Sequence, residues 1–256
     1  MKKAKKILVL ALKKTDIASA IAVRLTKVTG KSKVPIHPKH LLEKKPWFTG
    51  LITKKDKVLD LGSGNGQNTI KTAFVAKEVT GVEINETLID QAKESVDLKG
   101  LKNAKFKIGN LEKKLNLPDK HFDKVIFLDV LEHIKKRDQI LNEIRRILKP
   151  DGLLFVGVPN SQTSWKKFQK SAGVCSFSDP DHKIEFSEKS IRHLLEKHKF
   201  KIISFGYGKF DIPARGVVDI IGGLSTSLYK KITDVRTSAA QKNPLEASGF
   251  EIVAQK

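Results

Sequence analysis

Val58-Leu59-Asp60-Leu61-Gly62-Ser63-Gly64-Asn65-Gly66, or VLDLGSGNG, is the stretch from which the fold is read. An apolar strand carries Asp60 near its end and runs into glycines at 62, 64 and 66. The alternation lets the backbone turn through conformations closed to other residues and leaves room for a ligand against the main chain. Gln67-Asn68-Thr69 follows as a polar helix start, whose unbonded N–H groups and dipole suit an electron-rich ligand group. The dinucleotide fingerprint G-x-G-x-x-G requires glycine at 67. Gln67 stands there, the spacing is G-x-G-x-G, and NAD is disfavoured.

About 20 residues on, Val79-Thr80-Gly81-Val82 forms a second apolar strand ending on Glu83, where an α/β nucleotide fold places a carboxylate for both ribose hydroxyls. Downstream, strands and helices alternate. Glu86 to Lys99 reads as a helix, Lys105 to Ile108 as a strand, His133 to Leu148 as a helix stopped by Pro150-Asp151-Gly152, and Leu153 to Val158 as a strand. Glu188 to His198 reads as a helix, with strands at Phe200 to Phe205 and Gly249 to Ala254. This is the pattern of a parallel sheet that binds ligands at the carboxyl ends of its strands.

With the glycine turn, Glu83, FDKVIFLDVLEHI at Phe122–Ile134 and RILKPDGLLFVGVPN at Arg146–Asn160, the chain resembles the class I S-adenosylmethionine-dependent methyltransferases of the small-molecule type. The likeness runs from about Asp56 to Phe200 and returns at the C-terminus. It implies an α/β fold, a Rossmann-like, doubly wound, mostly parallel seven-stranded sheet with an N-terminal helical extension. Residues 1–55 would be a basic helical extension or lid and 56–256 the methyltransferase domain, with an insertion at about 207–245 acting as an acceptor cap or a dimer or membrane contact. The implied methyl donor is S-adenosylmethionine, held by Asp60, Gly62, Ser63, Gly64, Gly66, Glu83, Ile84, Asn110, Leu111 and Asp129. Asn110 departs from the family's usual acid at the end of the third strand. Its amide oxygen still accepts a hydrogen bond from an adenine amino group, without charge assistance.

Methyl transfer is an in-line displacement, so alignment and exclusion of water matter more than many catalytic groups. A hydroxyl acceptor benefits from a base, and the candidates are His133 and His182. Asp129-x-x-Glu132-His133 also resembles the E-x-x-E-H metal motif of ubiquinone-biosynthesis and small-RNA O-methyltransferases, with Asp129 in place of the first glutamate. That set would suit a divalent Mg²⁺ or Mn²⁺ orienting a hydroxyl, as an alternative to a metal-free site. The Asn/Asp-Pro-Pro-aromatic motif of amine-methylating enzymes is absent, so the expected acceptor is an oxygen or carbon of a small molecule or of a lipid- or glycan-linked substrate.

The formal net charge is +21, and residues 1–57 hold sixteen Lys or Arg against Asp16, Glu43 and Asp56. Such a segment is drawn to anionic membrane surfaces or polyanions. With seven Arg against 42 Lys, nucleic acid is the weaker expectation, since bidentate phosphate and base recognition favours Arg. Two alternatives to a small-molecule enzyme remain open: an RNA methyltransferase, and a non-catalytic membrane- or polyanion-binding protein that keeps the fold. Ile7 to Leu12 is too short for a secretory core or a spanning helix, and Cys175, the single cysteine, excludes an internal disulfide. The expected location is therefore cytoplasmic, with peripheral membrane contact as an addition. Between Lys33 and Phe48, His37, His40, Trp47 and Phe48 suit either a lid or a packed entry to the first strand.

Overall fold

The computed structural model describes residues 2–42 and 45–256. The chain opens with α1 (Lys2–Lys14), a 3-10 turn and α2 (Ala18–Val28), then the single-turn α3 (Lys39–Leu42). Strand and helix alternate through β1 (Lys57–Leu61), α4 (Gln67–Ala73), β2 (Glu78–Glu83), α5 (Glu86–Asp97), β3 (Ala104–Ile108), β4 (Phe122–Leu128), α6 (Arg137–Ile147) and β5 (Leu148–Pro159). After α7 (Ser164–Ser171) and α8 (Glu188–Lys197) come β6 (Lys201–Tyr207), α9 (Arg215–Leu224), α10 (Thr226–Lys242) and β7 (Gly249–Gln255). Among the described residues no helix is long and apolar enough to cross a membrane.

The seven strands form one sheet in the order β3-β2-β1-β4-β5-β7-β6. β1 is parallel to β2 and β4, with Asp60 opposite Gly81 on one side and Ile126 on the other. β3 and β5 extend the parallel part. Asn160 N bonds Ser248 O at one end of β7 and Lys256 N bonds Gly152 O at the other, so β7 runs antiparallel to β5. The sheet is thus mixed, as the α/β resemblance implies.

Val58 to Leu61 are all buried, which fits a central strand covered on both faces. Val58, Val79, Ile126, Phe155 and Val253 form a core with Phe48. Trp47 meets Phe48 and Phe155 edge-on, with ring centroids 5.6 and 6.0 Å away, and Phe48 stacks on Phe155 at 5.5 Å. Of the two roles open to these aromatics, packing the entry to β1 is the one seen. Each buried aromatic of this kind contributes roughly 1.5–3 kcal/mol by leaving water.

One helix is shorter than its sequence suggests. The stretch read as helical from His133 begins only at Arg137, because Asp129 takes a left-handed conformation (φ 57°) and Val130 to Ile134 forms tight turns through His133 N to Val130 O and Ile134 N to Leu131 O. Glu132 and His133 therefore sit on a loop after β4.

The described residues up to 42, with 160–180 and 207–249, gather into one compact unit, and 45–159, 181–206 and 250–256 into another. The first unit joins the N-terminal helices to the segment read as an insertion. Glu43 and Lys44, in the stretch before β1, lie outside the described residues. α2 and α9 run side by side, and a Cβ on Gly216 would lie 2.0 Å from the Thr15 carbonyl oxygen, one on Gly223 2.8 Å from Leu25 Cβ. Asp219 of α9 is the polar anchor of this unit, accepting from Ser19 Oγ (2.6 Å) and Tyr229 OH (3.2 Å) and pairing with His37 Nε2 (3.2 Å). Burial pushes its carboxyl upward, but the bonds from His37, Ser19 and Tyr229 outweigh burial and hold it below the ordinary carboxylate value.

The helix pair gives a prediction whose sign is informative. In an open helix Gly→Ala gains up to about 1 kcal/mol; Gly216→Ala should instead cost about 1–3 kcal/mol through overpacking on Thr15. Urea unfolding of the two proteins measures it, and a stabilised variant would contradict the close approach.

Candidate functional site

The glycine turn leaves β1 under tight constraint. Gly62 N and Ser63 N both donate to Val82 O, at 2.8 and 3.1 Å, so the turn is tied to the end of β2. Gly62 and Gly66 have φ of 71° and 78°. A Cβ on Gly62 would lie 2.4 Å from Val130, and one on Gly66 2.8 Å from Ala92 and Phe106. Gly64 differs: it is also left-handed (φ 53°), but open space surrounds the position its Cβ would take. Two of the glycines permit packing, and the third keeps one face of the turn clear.

Glu83 closes the turn from the other side. Its Oε2 accepts from Gly64 N at 2.9 Å, and its Oε1 from Ile84 N and Asn85 N at 2.9 and 3.0 Å. A carboxylate has about four acceptor positions, so these three bonds fix the group without exhausting it. Ile84 beside it is exposed.

Asp60 behaves otherwise. It is buried and accepts from Thr69 Oγ1 at 2.6 Å, fastening the first turn of α4 to β1. Burial pushes its carboxyl up to about 6, against the lowering effect of the bonds from Thr69. Its observed partner is thus within the chain. The buried Ser63 hydroxyl has no hydrogen-bond partner among the described residues. At the end of β3, Asn110 Oδ1 accepts from Glu112 N at 2.8 Å in a local turn, and Leu111 is buried. Asp129, at the end of β4, is exposed and donates its N–H to Gly157 O at 2.9 Å. The turn, Glu83-Ile84, Asn110-Leu111 and Asp129 accordingly meet at the carboxyl ends of β1, β2, β3 and β4, the edge where α/β sheets bind ligands.

A second cluster lies past Asp129. The Glu132 carbonyl accepts from Lys183 N (2.8 Å) and Ile184 N (3.3 Å), which brings residues 182–185 against the loop after β4. His182 Nδ1 stands 3.0 Å from Glu185 Oε1 and its Nε2 3.8 Å from Glu132 Oε1. The His133 and His182 rings meet edge to face at 4.6 Å. Glu132, His182 and Glu185 are buried. Glu132, His133 and His182 offer ligand atoms all within 4.8 Å of one another. The two candidate bases, far apart in sequence, are therefore neighbours. The grouping of potential ligand atoms pairs Glu132 and His133 with His182, whereas the motif read in the sequence joined them to Asp129. Glu185 was missed. Its only sequence signal is the three-residue spacing from His182.

Residues 52–201 match a family model described as a methyltransferase domain. The chain belongs to the class I S-adenosylmethionine-dependent methyltransferases. It is 28% identical over 163 residues to a Mycolicibacterium smegmatis protein described as a probable S-adenosylmethionine-dependent methyltransferase, covering 62% of this chain and 59% of that one. It is also 28% identical over 151 residues to the ubiquinone/menaquinone biosynthesis C-methyltransferase UbiE of Shewanella pealeana, covering 57% and 50%. The chain spans about half the length of the curated relatives it matches. A crystal structure of an S-adenosylmethionine-dependent methyltransferase from Methanosarcina mazei superposes with a TM-score of 0.58 at 22% identity, covering 83% of this chain and 97% of that one, a likeness of fold.

The turn suits the donor that a class I methyltransferase uses. Gly64 keeps one side clear, Ser63 brings an unsatisfied hydroxyl, and Glu83 is held in place with acceptor capacity to spare.

Asp60 yields a prediction about pH. Its folded value near 6 lies above the ordinary 3.8, so the folded state binds the extra proton. The stabilising contribution is complete below about pH 4 and is lost as pH rises through 6, with a total near 3 kcal/mol at 1.36 kcal/mol for each pKa unit. Asp60→Asn, which preserves the acceptor for Thr69, should remove this part of the pH dependence. Denaturant unfolding of both proteins between about pH 4 and pH 7 checks it, and parallel curves would refute the assignment.

Proposed function

We propose that the protein transfers a methyl group from S-adenosylmethionine to an oxygen or carbon of a small-molecule, lipid-linked or glycan-linked acceptor. The observation that carries this reading is the closeness of two arrays: Val130, whose side chain crowds Gly62, lies two residues before Glu132. The turn after β1 thus packs on the loop that carries Glu132 of the His182 cluster.

When bound, S-adenosylmethionine supplies an electrophilic methyl group on a sulfonium. Glu83, Gly64, Ile84, Asn110, Leu111 and Asp129 would hold it, with Asp60 supporting the turn from beneath. His182 is the proposed base for a hydroxyl acceptor. Glu185 at Nδ1 favours the tautomer with its proton there, which turns the lone pair of Nε2 toward the loop. The buried walls of the cluster exclude water. The likeness to a quinone C-methyltransferase supports an electron-rich aromatic carbon as the alternative acceptor.

A second reading is favoured by the grouping of Glu132, His133 and His182: a divalent cation held by two imidazoles and a carboxylate, orienting the acceptor. Mixed nitrogen and oxygen ligands suit Mn²⁺, Fe²⁺ or Zn²⁺ better than Mg²⁺.

Calorimetric titration of S-adenosylmethionine should show Glu83→Ala weakening binding by about 1–3 kcal/mol, the scale of a lost bond to a charged group. No binding by the unaltered protein would sink the methyl-transfer reading. With a panel of phenol and quinol acceptors and S-adenosylhomocysteine release as the readout, His182→Gln should cost roughly 10²–10⁴-fold in turnover with donor affinity unchanged. If elemental analysis finds a stoichiometric metal that His182→Gln abolishes, the second reading replaces the first.

A further inference from the structure

α1 and α2 leave a set of their apolar residues exposed. On α1, Val9 is buried, Lys5 lies over the Phe168 ring at 4.3 Å, and Lys13 Nζ reaches the carbonyls of Cys175 and Phe177 at 2.6 and 3.0 Å. The opposite side carries Ala4, Ile7, Leu8 and Ala11, all exposed and spaced to share one face. α2 repeats the arrangement. Ala22 and Thr26 are buried, while Ile17 just before the helix, Ile21 and Val28 form a stripe with exposures of 71, 51 and 81%. Lys14, Ile17 and Ala18 keep right-handed helical angles, so the two helices follow one another without turning back.

α9 enlarges the surface. Gly216 approaches Thr15, Asp219 bonds Ser19, and Gly223 approaches Leu25, so α2 and α9 run in the same direction. For two parallel right-handed helices joined through those residues, the wheel positions of exposed Val217 and Leu224 fall on the same side of the pair as Ile17, Ile21 and Val28. Cations border the ridge, Lys3, Lys6 and Lys14 on α1 and Lys27 on α2, and Arg24 stands within the α2 stripe, on the face shared by Ile21 and Val28. From residue 2 to 42 there are eleven Lys or Arg and one acid, Asp16.

We infer that this ridge is a docking surface for an anionic phospholipid bilayer, with α1 and α2 lying in the interfacial plane. Apolar stripes with basic borders and almost no acid are what such helices need: the stripes enter the boundary of the acyl region and the lysines meet lipid phosphates. A second copy of the chain would press two strongly basic surfaces together. A nucleic acid would offer nothing to the exposed Ile, Leu and Val residues.

The test is co-sedimentation of the full chain with vesicles of phosphatidylcholine alone and of phosphatidylcholine mixed with phosphatidylglycerol. Binding is expected to the mixed vesicles, weakening with salt, and little to the neutral ones. The combined variant Ile17→Ser, Ile21→Ser, Val28→Ser alters only exposed positions and should keep its circular dichroism and donor affinity while losing roughly tenfold or more in partitioning. Failure to bind the mixed vesicles overturns the inference. So does unaltered binding by the triple variant, which would mean adsorption by charge alone. A dimer seen by light scattering that the triple variant dissolves, without vesicle binding by either protein, would assign the ridge to a second copy. RNA binding that displaces the chain from vesicles and is indifferent to the triple substitution would also overturn it.

Discussion

Gly62 lies so close to Val130 that no other residue fits between them, and the proposed chemistry depends on that approach. A Cβ at 62 would stand 2.4 Å from the valine side chain, and the φ of 71° excludes most L side chains independently. The contact couples the turn after β1 to the loop after β4. From Val130 the loop needs only two residues to reach Glu132, whose carbonyl holds the backbone of Lys183 and Ile184 and so brings His182 to His133. A shift of the glycine turn would carry the histidine cluster with it, because close-packed groups transmit displacement rather than absorb it.

The two acids of the β1–β2 pair divide the work by environment. Asp60 is enclosed, bonded to Thr69, and resists ionisation because burial penalises its charge. Glu83 stands at the end of the neighbouring strand, where three backbone N–H groups fix its carboxyl oxygens. One residue fixes the helix that follows the turn, and the other faces the ligand edge. A cation or hydroxyl arriving at the turn meets Glu83, with Asp60 kept out of reach.

Much of this was legible in the sequence because it is encoded locally. The apolar runs of β1, β2, β4 and β5 fall where strands occur, and the G-x-G-x-G turn with Glu83 lies at the carboxyl edge of the sheet. The failures share a physical origin in contacts distant along the chain. Periodicity through DVLEHI continued a helix back to His133, whereas a left-handed Asp129 and tight turns interrupt it. Nothing in the spacing of Asp129, Glu132 and His133 announced that His182 would lie beside Glu132 and His133. The residues read as an insertion pack with α2 through Gly216 and Gly223, positions whose smallness has meaning only once the facing helix is present. Trp47 and Phe48 were ambiguous for the same reason: Phe155, their partner, comes over a hundred residues later.

The charge balance of the histidine cluster bears on both of its proposed roles. Glu132 and Glu185 flank His182 in a buried setting, and two carboxylates withdrawn from water need positive charge nearby. A hydrogen bond donated by the imidazole to Glu185 meets part of that need, and a divalent cation would meet it more fully. In the first reading Nδ1–H donates to Glu185 and leaves the Nε2 lone pair for an acceptor hydroxyl. In the second, a cation held by Glu132, His133 and His182 would lower the proton affinity of an acceptor hydroxyl bound to it. Both use the same surplus of negative charge around His182, which neither Glu132 nor His133 would create without the segment that carries Glu185.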